Sequence, residues 1–252
     1  MILLFDIGNT HTHLGLADRH RVRKHTDIPT SAWHDGSAPR RVLKFIGRQP
    51  ITGAILGSVV PAVTPAVKAF VKKRFALACA ELNSKSIRGV GLDYPRPSTI
   101  GADRLANAIA ITHRFGAPAV VVDFGTAVTF DVVDRHGNYV GGIIAPGLSA
   151  MTDYLHDHTA LLPKIKIRET NAIVGKNTTE AMLIGAVHGY RGLIRELLLR
   201  LTRKMKCKKL PVVATGGYAR LIASKMPEIT SVDPLLTLEG LRLAHPAITL
   251  ES

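Results

Sequence analysis

The chain has 252 residues, of which 46% are hydrophobic and 5% aromatic, and its formal net charge is +14. This composition supports a packed aliphatic core, and no apolar run approaches the about 20 residues that a membrane-spanning helix requires. Asp6 interrupts the apolar start and the two cysteines lack metal-type spacing, so we expect no membrane segment, signal peptide or zinc site, and a reducing cytoplasm as the location.

The excess of basic residues has three readings: an anionic substrate such as ATP, a nucleic-acid partner, or simply a basic surface. The densest basic run, residues 203–209, follows a helical stretch and contains no interleaved aromatic residues. Aromatic side chains are what stacks on bases in nucleic-acid-binding proteins. A nucleic-acid partner is therefore not favoured.

The first half of the chain opens with a hairpin pattern. An apolar run at residues 2–5 leads into Asp6-Ile7-Gly8-Asn9-Thr10, and alternation resumes at residues 11–16, which predicts strand, tight turn and strand. Apolar content and periodicity then predict a strand at 54–60 and helices at 65–80 and 101–114.

The second half repeats this opening. An apolar, β-branched run at residues 119–122 leads into Asp123-Phe124-Gly125-Thr126, and strand patterns follow at 128–133 and 139–144. A repeat on the scale of a domain indicates a duplicated fold. We predict an α/β protein of two similar domains that face a cleft, with residues 1–116 in the first and 117–252 in the second.

The remaining predicted elements are a helix at residues 179–202, a strand at 210–214 and a short helix at 218–224. Thr215-Gly216-Gly217 joins that strand to that helix. Two glycines at a helix start suit close packing against the adenosine part of a nucleotide. Considered alone, they would be an ordinary helix entry.

Several nucleotide and catalytic motifs are absent from the sequence: the P-loop, the dinucleotide-binding glycine fingerprint and the nucleophile elbow. The two Asp-x-Gly turns remain as candidates. Glycine lets the backbone N–H groups approach a phosphate chain, Thr10 and Thr126 add hydroxyl donors, and the aspartates can hold a metal ion or its waters. One such turn would be ordinary hairpin chemistry, but two copies with the glycine pair indicate a nucleotide site.

This set of motifs resembles the actin, sugar kinase and Hsp70 superfamily, whose fold is two actin-like (ribonuclease H-like) domains flanking a nucleotide cleft. Within it, the chain is similar to the type III pantothenate kinases over nearly its whole length. The matching motifs are Asp6-Ile7-Gly8-Asn9-Thr10, Gly101-Ala102-Asp103-Arg104 with Tyr94 and Pro97 before it, 123–129, 141–147, and Gly175-Lys176-Asn177-Thr178.

The resemblance implies ATP-dependent phosphorylation of pantothenate, the first step of coenzyme A synthesis, with Asp103 as the general base. It implies pantothenate contacts at Tyr94, Gly101, Ala102, Arg104 and Thr178, and a monovalent cation, K⁺ or NH₄⁺, at Asp123. It implies ATP contacts, with Mg²⁺ near Asp6, at Asp6, Ile7, Gly8, Asn9, Thr10, His11, Thr12, His13 and Thr126. It also implies a homodimer with the substrate pocket near the interface. One hypothesis is that Thr178 contacts the substrate bound to the partner subunit.

Other readings stay open on the sequence alone. Asp103 and Arg104 would, without their motif, be solvated surface charges. His11 and His13 share a strand face and could contact phosphate or a metal, and the His156-Asp157-His158 cluster is predicted to lie in a loop. The alternative functions are another small-molecule kinase on the same fold and a non-catalytic nucleotide-binding regulator.

Overall fold

The computed structural model describes residues 1–207 and 209–247, which form two compact units. Unit 1 comprises Met1–Ala117, His136–Gly141 and the segment that begins at Leu235. Unit 2 comprises Pro118–Arg135 and Gly142–Pro234.

The strands form two sheets. Along the chain they are β1 (Ile2–Ile7), β2 (His11–Ala17), β3 (Val22–Pro29), β4 (Gly53–Ser58), β5 (Cys79–Glu81), β6 (Gly91–Leu92), β7 (Ala119–Phe124), β8 (Ala127–Val133), β9 (Asn138–Pro146), β10 (Val212–Thr215) and β11 (Ser231–Val232). The first sheet has the order β3-β2-β1-β4-β5 and the second has the order β11-β10-β7-β8-β9-β6.

The helices are α1 (Ala38–Ile46), α2 (Thr64–Phe75), α3 (Ala102–Phe115), α4 (Leu148–Asp157), α5 (Thr178–Ile184), α6 (Tyr190–Met205), α7 (Ala219–Ala223) and α8 (Leu236–Ala244). A π-helical turn, Gly185–Gly189, joins α5 to α6 without a break. None of the helices within the described residues is long and apolar enough to cross a membrane.

In unit 1, β1 is the central strand and is buried on both faces. Leu3, Phe5 and Ile7 belong to a core cluster that also contains Trp33, which precedes α1, and Val42 of α1. The opposite face is covered by α8, which packs against β1 and α3. A strand covered on both faces reads as a nearly continuous apolar run, and in β1 only Asp6 departs from that pattern.

The topology confirms the predicted duplication. β1 pairs antiparallel with β2 and parallel with β4, and β7 pairs antiparallel with β8 and parallel with β10. Counted from the first strand of each copy, both sheets therefore contain the order 3-2-1-4-5, and the second sheet has β6 as an additional edge strand beside β9. The polar end of the first strand, Asp6 in one copy and Asp123 in the other, leads directly into a tight turn in each case.

Three boundaries differ from the sequence predictions. The helix expected at residues 65–80 ends at Phe75, because Ala76 is left-handed with φ 55°, and the chain then enters β5. The cluster expected in a loop, His156-Asp157-His158, lies at the end of α4 and its cap. The last helix, α8, belongs to unit 1 rather than to a domain of residues 117–252, because Gly240 permits close contact with α3.

Candidate functional site

Two hydrogen bonds from Thr30 support the turn after β1. The Gly8 N–H donates to the His11 carbonyl at 3.0 Å, and the Thr30 N–H donates to the Thr10 carbonyl at 3.0 Å. The Thr30 hydroxyl also donates to the Gly8 carbonyl at 2.7 Å. These bonds fix the backbone, while Asn9, Thr10 and His11 are exposed at its tip. A rigid turn with an exposed tip suits the binding of an anion through backbone N–H groups.

Two of the residues predicted to bind ATP support this turn from inside. Ile7 and Thr12 are fully buried, and they are paired across the hairpin. The Thr12 and Thr30 hydroxyls are 3.2 Å apart and share a hydrogen bond. The side chains of these two residues are therefore not accessible to a ligand, whereas the tip of the turn is.

Asp6 occupies a half-buried position between two neighbouring strands. It pairs with His13 on β2 and with Gly57 on β4. The pKa of its carboxyl is raised to about 6, mainly by burial and to a lesser degree by the charges of Asp103 and Asp27, while His13 acts in the opposite direction. A carboxylate whose ionised form is disfavoured in this way is stabilised by a nearby cation, so Asp6 fits the magnesium-proximal role.

Asp103 lies in the first turn of α3, which begins at Ala102 directly after Gly101. Its carboxylate accepts the Arg104 N–H at 2.8 Å and folds back over Gly101, where a side chain would overlap it. Burial raises the pKa of Asp103, although the Arg104 N–H and charge act in the opposite direction. The side chain is partly buried rather than a solvated surface charge, and its increased basicity suits proton abstraction.

Arg104 and two tyrosines form a cluster next to Asp103. The Arg104 guanidinium lies 5.7 Å from the centre of the Tyr139 ring, and that ring lies 6.0 Å from Tyr94. Tyr94 also contacts the backbone at Gly141. The predicted substrate residues Tyr94, Asp103 and Arg104 are therefore neighbours in unit 1. Tyr139 was not predicted as a site residue from the sequence. It lies next to these residues because β6 pairs with the start of β9.

The second turn, after β7, has its own supports in unit 2. The Gly125 N–H donates to the Ala127 carbonyl at 3.1 Å, and the Gly147 N–H donates to the Thr126 carbonyl at 3.1 Å. A side chain on Gly147 would overlap that carbonyl. Gly147 therefore packs directly against the Thr126 backbone. Gly125 and Thr126 are exposed at the tip of the second turn, as Asn9 is at the tip of the first.

Gly216 brings the predicted adenosine turn against the second phosphate turn. Its φ is 88°, and a Cβ there would lie 2.6 Å from the Asp123 Oδ1 atom and 2.7 Å from the Phe124 backbone. A left-handed backbone at such close range requires glycine. Gly217, by contrast, faces open space. The three motif segments around Asp123, Gly147 and Gly216 thus meet in unit 2.

The two phosphate turns are not identical. In the first hairpin the last pair before the turn is Ile7 with Thr12, whereas in the second it is Phe124 with Val128. The second turn is therefore one residue shorter. Val128 is fully buried, and Thr129 pairs with Asp123. Val128 is thus a core position and not part of the exposed tip.

Thr178 is the exposed first residue of α5, on a separate element of unit 2. The helix start before it is well defined, because Asn177 accepts the Glu180 N–H at 2.9 Å and Glu180 accepts the Lys176 N–H at 2.6 Å. The arrangement resembles a capping box, except that Glu180 binds the N–H of the residue before the N-cap Asn177. Gly175 lies against the backbone of Ala181, so the motif is fixed in conformation.

The histidine pairs do not form metal centres. The His11 and His13 rings are 6.3 Å apart, and His13 Nδ1 lies 2.7 Å from Asp27 Oδ1. His156 donates to the Leu162 carbonyl at 3.0 Å, and His158 stacks on Tyr154. Among residues 1–207 and 209–247, no group of three or more metal-binding side chains is close enough to hold an ion.

Comparisons with known proteins agree with this geometry. A sequence model of the family described as type III pantothenate kinase matches residues 2–200. The chain belongs to this family. It is 42% identical over 243 residues to a type III pantothenate kinase of Methylacidiphilum infernorum, which covers 96% of this chain and 87% of the relative. An Akkermansia muciniphila member is 54% identical over 166 residues, 66% of this chain and 68% of the relative.

Solved structures show the fold. A Campylobacter jejuni protein described as a Baf family transcriptional activator superimposes with a TM-score of 0.62 at 21% identity, covering 96% of each chain. MreB 5 of Spiroplasma citri bound to AMPPNP has a TM-score of 0.51 at 11% identity, covering 96% of this chain and 95% of that one. At such identities the likeness concerns the fold alone. It confirms the actin-like fold that the motifs predict for this type III pantothenate kinase family member.

Proposed function

We propose that this chain transfers the γ-phosphoryl group of ATP to the hydroxyl of pantothenate, yielding ADP and 4′-phosphopantothenate at the start of coenzyme A synthesis. The observation that carries the proposal is the environment of Asp103. Its carboxyl combines a burial-raised pKa with a fixed position at the start of α3. It lies beside the Arg104 and tyrosine cluster in a chain that belongs to the family.

Asp103 is assigned the role of general base. Its carboxylate takes the hydroxyl proton of pantothenate as the hydroxyl oxygen bonds to the γ-phosphorus, and the bond from that phosphorus to the ADP oxygen breaks. Phosphoryl transfer depends mainly on positioning and charge neutralisation. Arg104 and Tyr94 are assigned to orient pantothenate, because the guanidinium suits its oxygen-rich groups and both side chains lie near the Tyr139 ring.

The two turns are assigned to the phosphates of ATP. The exposed tips of the two turns, Asn9 and Thr10 in the first and Gly125 and Thr126 in the second, lie on backbone that hydrogen bonds hold rigidly. Asp6 is the residue that would attract Mg²⁺, and that ion would supply neutralisation of phosphate charge. Asp123 is assigned to the monovalent cation.

A homodimer is the proposed assembly. Large apolar side chains are exposed on β9, α4 and the segment that follows α4, and Leu161 and Ile173 are 89% and 75% exposed. Exposed large apolar side chains concentrated in one part of the chain support an interaction surface there. The residues are Ile144, Met151, Tyr154, Leu155, Leu161, Ile173 and Val174. Mass measurement in solution tests it: a monomer at micromolar concentration would contradict the proposal.

The first test of function is ADP release from purified protein, ATP, Mg²⁺ and pantothenate, with and without K⁺. Asp103→Asn keeps the shape of the side chain, and we expect it to reduce kcat by about 10²–10⁴-fold, the usual contribution of a general base. Asp93→Asn, an exposed carboxylate near Tyr94, is the matched control and should retain activity. Turnover that persists in Asp103→Asn would remove the base assignment.

A further inference from the structure

An irregular segment of about twenty residues, 158–177, leads from α4 to the motif Gly175-Lys176-Asn177-Thr178. A stretch of this length without helix or strand needs side-chain tethers to hold one conformation. The structure provides one near its middle, where Glu169 meets Arg191 of α6. All the residues of this tether lie in unit 2.

Arg191 is a buried guanidinium, and each of its three nitrogens donates at least one hydrogen bond. Its two terminal nitrogens donate to the two Glu169 carboxylate oxygens at 3.0 and 2.6 Å. Its remaining bonds go to the Leu221 and Ile222 carbonyls at 2.6 and 3.2 Å and to the Ser224 hydroxyl at 3.3 Å. The Arg191 side chain is only 5% exposed. A bidentate pair of this kind constrains the relative orientation of the two side chains as well as the distance between them.

The partners of Arg191 lie on two different elements. Leu221 and Ile222 belong to α7, the helix that follows the Gly216-Gly217 turn, and their carbonyls are near its C-terminal end. Glu169 belongs to the irregular segment. Lys225 strengthens the same connection, because its ammonium lies 3.5 Å from Glu169 and donates to the Asn171 side chain at 2.5 Å.

The carboxylate of Glu169 is committed to this role. The hydrogen bonds and charge of Arg191, helped by Lys225, hold the pKa of Glu169 at about 2. The pair therefore stays ionised across the neutral range. From Glu169 the chain needs only nine residues to reach Thr178, and Gly175 and the side-chain cap of Asn177 fix the far end of that stretch.

We propose that the Arg191–Glu169 pair is a positioning device that holds the segment 169–177 on α7 and so places Thr178 for contact with pantothenate. The inference rests on the proposed function, because it takes Thr178 as a substrate contact. Arg191 and Glu169 act through Thr178 and are not themselves in contact with substrate. α7 also packs on β10 and β11, so loss of Glu169 should release the segment without displacing the adenosine turn.

The test is a comparison of Glu169→Ala with Glu228→Ala. Glu228 pairs with Arg195, one turn further along α6, at 2.6 Å, which makes it a matched ion-pair control on the same helix. We expect Glu169→Ala to raise KM for pantothenate about tenfold, the order of the cost of ordering a loop on binding. kcat and KM for ATP should change less than about twofold in the same assays. Glu169→Gln, which keeps one acceptor oxygen, should give an intermediate KM.

A second readout does not depend on activity. Lys164, Lys166 and Arg168 are exposed in the same segment, so trypsin cleavage there measures its opening. Faster cleavage in Glu169→Ala together with the raised KM would support the proposal. Faster cleavage with unchanged KM would overturn the positioning role, and unchanged cleavage would overturn the tether. Failure of the wild-type protein to phosphorylate pantothenate would instead refute the proposed function. That outcome is distinguishable from failure of the positioning role, which changes only the comparison of KM among variants.

Discussion

Replacement of Asp6 by Asn should stabilise the protein in the absence of ligand. Burial raises the pKa of the Asp6 carboxyl from 3.8 to about 6, which means that folding favours its protonated form. The contribution of this group to stability is therefore greatest below pH 3.8 and declines as the pH rises from about 4 to about 6. At about 1.4 kcal/mol per pKa unit, the ionised carboxylate destabilises the fold by about 3 kcal/mol at pH 8, and by about half of that at pH 5.

Denaturant unfolding of wild type and Asp6→Asn at pH 5 and pH 8 measures this difference. Asp18→Asn is a control of opposite sign, because the Asp18 carboxylate accepts the His20 and Arg21 N–H groups and pairs with Arg23, which holds its pKa below the usual range. It should destabilise the protein at pH 8. If Asp6→Asn were no more stable than wild type at pH 8, or equally more stable at both pH values, the burial argument would fail.

The remaining predictions concern glycines. Gly216→Ala should raise KM for ATP about tenfold or more, because the left-handed backbone and the 2.6 Å approach to Asp123 add strain of about 1–2 kcal/mol. Gly217 faces open space, so Gly217→Ala should leave KM for ATP unchanged. Gly240→Ala should destabilise the fold by about 1–3 kcal/mol through overlap with a carbonyl of α3, while Gly192→Ala, inside α6 and in open space, should stabilise it by about 0.5–1 kcal/mol. Substrate titrations and thermal unfolding measure the two pairs.

The duplicated sheet could be predicted because its information is local. The apolar run of each first strand, its terminal aspartate and its glycine turn all lie within about ten residues, and both hairpins form where that pattern recurs. The long helix predicted at residues 179–202 is also present as α5 and α6. Its π-helical turn was not predictable, because neither hydrophobic period nor propensity distinguishes one widened turn within a continuous helix.

The parts that sequence reasoning missed depend on contacts between distant segments. Tyr139 joins the substrate cluster only through strand pairing with Gly91 and Leu92. The return of α8 to unit 1 depends on its packing against α3 from more than a hundred residues away. The Arg191–Glu169 pair spans 22 positions between a helix and an irregular segment. In each case the sequence contains the residue but no local pattern that names its partner.

Asp6 and Asp103 show how one physical cause can support two chemical roles. Burial raises the pKa of both carboxyls, yet their local supports differ. Asp103 accepts an N–H at the start of α3, where the helix dipole also favours negative charge, so it can remain ionised and accept a proton. Asp6 ends a strand and lies within electrostatic range of Asp103, so its charge is favoured mainly by a cation. A cation beside Asp6 would favour the ionised form and lower the pKa of Asp6, so the charge state of this carboxyl depends on metal binding.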